Sequence, residues 1–156
     1  MENDADGWTW GDGSWTFGDG TAAFGTGTEV ALTATGGSGG TTQAVSITNA
    51  GNVNRTGYQV TVTAGTNTIT AITWANATSG YSWTWTGSLT TGQVLVVDTD
   101  GMNVTKDGAN AYSGFVPSHK RTWDRLVPGA NAVTVTVTGN AAADGTISWA
   151  YKDAWA

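Results

Sequence analysis

The segment AVTVTVT (132–138) constrains the fold more than any other stretch of the chain. Apolar and hydroxylated residues alternate in it without a break. A period of two sends Val133, Val135 and Val137 to one side and Thr134, Thr136 and Thr138 to the other, which is the pattern of a half-buried strand. Both residue types are β-branched and suit a pleated surface. The same alternation recurs in QAVSITN (43–49) and in YQVTVTA (58–64), where Tyr58, Val60 and Val62 share a face. EVALTAT (29–35) alternates before GGSGG (36–40) interrupts it, and 68–75 gives a further strand. In YSWTWT (81–86), Tyr81, Trp83 and Trp85 fall on one side and Ser82, Thr84 and Thr86 on the other. QVLVVD (93–98) is more continuously apolar, as expected of a strand covered on both faces. MNVT (102–105) is placed to pair with it through the Asp100-Gly101 turn, and TISWAYKDAW (146–155) supplies a last strand.

Turn residues punctuate these runs. NAGN (49–52) reads as a turn, and VPGA (127–130) as a type II turn with Pro128 and Gly129 at its centre. No segment follows a helical period. The one candidate for a helical turn is SHKRTWDRL (118–126), where Trp123 and Leu126 stand three apart. Strands recurring every eight to twelve residues predict an antiparallel β-sandwich. Its length of 156 residues suits one core-bearing domain.

Charged residues make up 12% of the chain, about half the usual share, so its polar surface comes from Thr, Ser, Asn and Gly. The net charge of −6 is unevenly placed: Glu2, Asp4, Asp6, Asp12, Asp19 and Glu29 are six acids in the first 29 residues, with no base. The remaining six acids and six bases cancel. A chain without a basic stripe is a poor ligand for nucleic acid or for an anionic membrane. No apolar run approaches the ~20 residues that span a bilayer, and MENDADG at the start is unlike a secretory signal. Cysteine is absent, so disulfides and thiolate metal sites are excluded.

The chain divides into an acidic, Gly/Trp-rich arm (1–28) and the sandwich (29–156). The arm writes one unit twice, WTWGDGS (8–14) and WTFGDGT (15–21). In extended backbone Trp8 and Trp10 share a face, as do Trp15 and Phe17. Ordering so glycine-rich a segment costs on the order of 1–2 kcal/mol per residue, and four aromatic rings offset that only when a groove receives them. Trp8, Trp10, Trp15 and Phe17 are therefore expected to anchor the arm, on the chain's own sandwich or on a neighbouring subunit. His119, Lys120, Arg121 and Arg125 form the sandwich's basic cluster and the arm's electrostatic counterpart.

Catalytic chemistry finds little support. Ser118 and His119 are adjacent in sequence, which is poor geometry for groups that must converge from separate elements. The aspartates stand near turns, where they cap backbone. Asp98-Thr99-Asp100-Gly101 lacks the third oxygen donor and distal Glu of a calcium loop, and Asp-Gly accounts for it as a hairpin end. No metal, cofactor or enzymatic activity is expected. Tyr81, Trp83 and Trp85 admit two readings: the inner face of a strand, or a flat platform on which a sugar ring stacks. Their polar neighbours lie opposite, which favours the core.

Four segments carry a family likeness: SITNAGN (46–52), SWTWTGSLTTGQVLVVDTDG (82–101), WDRLVPGAN (123–131) and GTISWAYKDAW (145–155). In that order and spacing, from about Val45 onward, the chain resembles the C-terminal domain of siphophage distal tail proteins, called minor tail proteins in actinobacteriophages. The Trp-x-x-Leu-x-Pro-Gly-x-Asn element is the most specific of the four. The resemblance implies a jelly-roll or galectin-like sandwich, a virion tail subunit made in the host cytoplasm, and a role in assembly and host attachment. Full distal tail proteins also carry a ring-forming N-terminal domain. Roughly 40 glycine-rich residues stand in that position here, so ring formation does not carry over. The expected partners are further copies or other virion subunits, and a host-surface glycan. A carbohydrate-binding module is the alternative function, and a capsid decoration protein the second.

Overall fold

The computed structural model describes residues 25–26, 30–32, 41–52, 57–119, 123–141 and 143–151. The 1–28 arm, with Trp8, Trp10, Trp15 and Phe17, lies outside them apart from Gly25 and Thr26, as do Lys120 and Arg121. Twelve strands run through the described residues: β1 (Gly25–Thr26), β2 (Val30–Leu32), β3 (Thr41–Asn49), β4 (Tyr58–Ala64), β5 (Ile69–Asn76), β6 (Tyr81–Leu89), β7 (Val94–Asp98), β8 (Asn103–Lys106), β9 (Ala109–Asn110), β10 (Phe115–Pro117), β11 (Gly129–Gly139) and β12 (Gly145–Tyr151). They form two antiparallel sheets. In one, β1 and β2 both pair with β12, and β4, β7, β8 and β9 follow in order. In the other the order is β10-β6-β5-β11-β3.

The alternation read from the sequence is the alternation of burial. In β11, Val133, Val135 and Val137 are buried, and they meet Val45 and the Trp74 and Ile72 positions across the ladder. In β4, Tyr58, Val60, Val62 and Ala64 are buried. Trp74 and Trp83 stack between β5 and β6 at 6.0 Å and 3°, with Tyr58 beyond Trp74 at 5.6 Å. Phe115 continues the aromatic row, tilted on Trp83 at 5.6 Å and stacked on Trp123 at 4.7 Å. Offset aromatic contacts of this kind add to the gain from burying the rings themselves.

Two expectations need correction, and the choice left between two readings at Tyr81, Trp83 and Trp85 falls to the favoured core one. β7 is not covered evenly on both faces: Leu95 and Val97 are buried, but Val94 and Val96 are half-exposed, because β7 lies within a sheet that packs on one side. No helical turn occurs at the described residues of 118–126. The short 3₁₀ turn is at Tyr112–Gly114, leading into β10. Tyr81, Trp83 and Trp85 offer no sugar platform, since only 6%, 1% and 3% of their surface is exposed. A stacked sugar needs an open ring face, and these rings face the other sheet. The indole N–H of Trp85 donates to the Ala111 carbonyl at 3.2 Å.

Candidate functional site

Residues 123–131 form a corner that ties both sheets together. Asp124 sits at its centre with 1% of its surface exposed. Its Oδ2 accepts from the Tyr58 hydroxyl at 2.9 Å and from Asn76 Nδ2 at 3.2 Å. Its Oδ1 accepts from Ser79 Oγ at 2.6 Å and from the Arg125 N–H at 2.8 Å. A buried carboxylate is tolerated only when its lone pairs are satisfied, and four donors do that here. Burial, and then the Asp124 charge beside it, push the Tyr58 phenol well above its ordinary range, so it stays a donor.

Asn131 is wholly buried and performs a related task. Its Nδ2 donates to the carbonyls of Val127 at 2.9 Å, Gly129 at 3.1 Å and Ile47 at 3.3 Å, and its Oδ1 accepts the Val127 N–H at 3.0 Å. The side-chain amide thus closes the Pro-Gly turn on itself and pins it to β3. Gly129 has φ of +86°, as the type II turn requires. Asn49 donates to the Leu126 carbonyl at 3.2 Å, and Asn76 caps its own turn by accepting from the N–H groups of Thr78 and Ser79. Trp123 and Leu126 are buried beneath. Each named position of the Trp-x-x-Leu-x-Pro-Gly-x-Asn element therefore either packs or closes backbone. Asn76, the first residue of an Asn-x-Thr sequon, is buried in this network.

Over the corner opens a cleft of about 350 Å³, bordered by Ser79, Tyr81, His119, Trp123, Asp124 and Arg125. The His119 ring stacks on Tyr81 at 5.6 Å, and His119 Nδ1 lies 3.1 Å from Ser118 Oγ. Burial, then the Asp124 charge, push the Tyr81 phenol up to about 12. Its buried hydroxyl meets no partner among the described residues. The structure thus brings His119 and Arg125 to one rim, with Arg125 exposed. A second cleft, about 460 Å³, is bordered by Tyr58, Gln59, Asp98 and Asp100. There Asp98 accepts from the N–H groups of Asp100 and Gly101 at 3.0 Å, which is turn closure. Among the described residues no group of three His, Asp or Glu side chains could hold a metal ion.

Sequence reasoning missed Asp124, Asn131, Asn76, Asn49 and Tyr58 as one network. The available signal was the short spacing of Asp124 and Asn131 around the Pro-Gly turn.

Residues 50–155 match the family described as "Siphovirus-type tail component, C-terminal domain". The chain belongs to this family of siphovirus tail components. The fold agrees. The solved structure of the Dit protein of phage SPP1, titled a paradigm of the hub adsorption apparatus in phages infecting Gram-positive hosts, is similar with a TM-score of 0.50 at 12% identity. The likeness covers 81% of this chain and 47% of that one, so the tail-component domain spans about half the length of the solved protein. No curated protein sequence matches the chain.

Proposed function

We propose that this tail-component domain is a non-catalytic structural subunit, held in a phage tail by contacts at the 123–131 corner. The observation that carries this reading is the state of Asp124: all four donors on its carboxylate belong to the fold. A carboxylate whose acceptors are all engaged by the fold serves to hold the corner, and it makes a rigid floor for a docking cleft. The arm of residues 1–28 is the segment that enters the cleft of a neighbouring copy. Its acids complement His119 and Arg125 at the rim, with Lys120 and Arg121 adjacent in sequence. Trp8, Trp10, Trp15 and Phe17 supply the apolar anchors. Host attachment would follow from position in the tail, with glycan recognition left to other surfaces.

Light scattering on the full chain tests the docking. Arg125→Glu on the rim, or Trp8→Ser with Trp15→Ser in the arm, is expected to lower the average mass of assemblies without moving the melting temperature by more than a degree or two. Unchanged assembly in both variants would remove the arm from the account.

A further inference from the structure

A β-sandwich has four sheet edges, and among the described residues three of them are blunted. β1 and β9 are two residues long, and β10 is three residues ending in Pro117. β3 is different. It is nine residues long, pairs with β11 at every residue without a bulge, and contains no proline or charged residue. Proteins usually protect a long edge with charge, proline or a bulge, because its open row of backbone groups is a template for another strand.

The direction of that row follows from the ladder. The Ala132 carbonyl accepts from Ala77 on the β5 side, so the even residues of β11 face β5 and the odd ones face β3. The odd residues of β3 therefore direct their backbone hydrogen bonds to β11, and Thr42, Ala44, Ser46 and Thr48 turn their N–H and C=O groups outward. The Ala44 and Thr48 carbonyls each take one side-chain donor, from Gln43 at 3.0 Å and from the Tyr151 hydroxyl at 2.7 Å. The four outward N–H groups and the carbonyls of Thr42 and Ser46 have no partner among the described residues. All four side chains are exposed.

The occupant is indicated by charge. Beyond Glu29 the acids and bases cancel, so a second copy of the sandwich is not repelled, and surfaces without fixed charge meet without desolvating an ion. None of the five strands of the β3 sheet contains Asp, Glu, Lys or Arg. We propose that β3 pairs antiparallel with β3 of a second copy about a two-fold axis, joining two five-stranded sheets into one. Full overlap of the nine residues centres the axis at Val45, which sets Thr42 opposite Thr48 and Ala44 opposite Ser46 of the other copy. On each side of the join a rank of aligned positions, Thr42, Thr136, Thr73 and Thr84, leads up to Thr48 of the other copy, with Thr42 bonded to Thr136 at 3.1 Å and Thr73 to Thr84 at 3.0 Å. This contact is independent of the arm and its cleft.

Sedimentation of the full chain is expected to show a reversible dimer that grows with concentration. Ser46→Pro, which removes an outward N–H where an edge tolerates proline, is expected to weaken it at least about tenfold. Ser46→Lys should do likewise by setting a cation at each side of the axis, and serves if the proline variant misfolds. Because the chain has no cysteine, single introductions report register cleanly. Residues opposite in a hydrogen-bonded pair have Cα atoms about 5.5 Å apart, within disulfide reach. Under mild oxidation, Ala44→Cys mixed with Ser46→Cys should form the mixed disulfide dimer well ahead of either variant alone. A chain that stays monomeric up to about 1 mM, or cross-linking no better in the mixture than in the separate variants, overturns the pairing.

Discussion

Asp124 is the residue on which the corner turns. Removing its carboxylate strands the Tyr58 and Asn76 donors in the core, at about 1–3 kcal/mol each, and frees the half-buried Ser79 hydroxyl at a smaller cost. Asp124→Ala is therefore expected to lower the unfolding free energy by about 3–5 kcal/mol in urea titration, with an unchanged denaturant slope. A loss below about 1 kcal/mol would mean the network is slack. Asp144 gives a separate test by pH. Backbone N–H groups of Asn67 and Thr66 hold its carboxyl below its ordinary value of 3.8. A depressed folded-state value means the stabilisation is complete above the unfolded value and is lost as pH falls through the folded one. The stability gap between the protein and Asp144→Asn should close from about pH 4 downward and stay flat above pH 6. In sequence, Asp124 looks like any aspartate near a turn. Its side-chain partners lie 45, 48 and 66 residues away, so the spacing to Asn131 marks the corner but not the network that Asp124 joins.

At the scale of elements, the strands were legible because Val and Thr write a period of two, and β4 falls on 58–64 as read. The 3₁₀ turn and β10 were not, because packing sets them. Phe115 is placed by Trp83 and Trp123, and a Cβ on Gly114 would come within 2.2 Å of the Thr86 carbonyl. Gly129 belongs to the legible class, since Pro-Gly announces the turn. Gly129→Ala puts a side chain at φ +86° and should cost about 1–2 kcal/mol, read as a lower melting temperature with the fold retained. Trp83→Ala empties the middle of the aromatic row and should cost about 3–5 kcal/mol, in the range of a core deletion. A stable Trp83→Ala variant that had lost only an affinity for saccharide would restore the platform reading.

For the whole molecule, the sequence announces a sandwich and its polarity of charge, but not which strands are neighbours. Strand order depends on contacts such as β11 with β3 and β5, which join segments far apart in the chain. The family likeness was legible because the 123–131 corner needs particular residue types at fixed spacing to bury a carboxylate and close a Pro-Gly turn. On the proposed function, this rigid, charge-poor sandwich is a building block of a phage tail. Electron microscopy of virions from the phage that encodes the chain, labelled with an antibody against the folded domain, is the decisive measurement. Label confined to the tail is the predicted result. Label spread over the capsid, or virions that carry none of the chain, would contradict it.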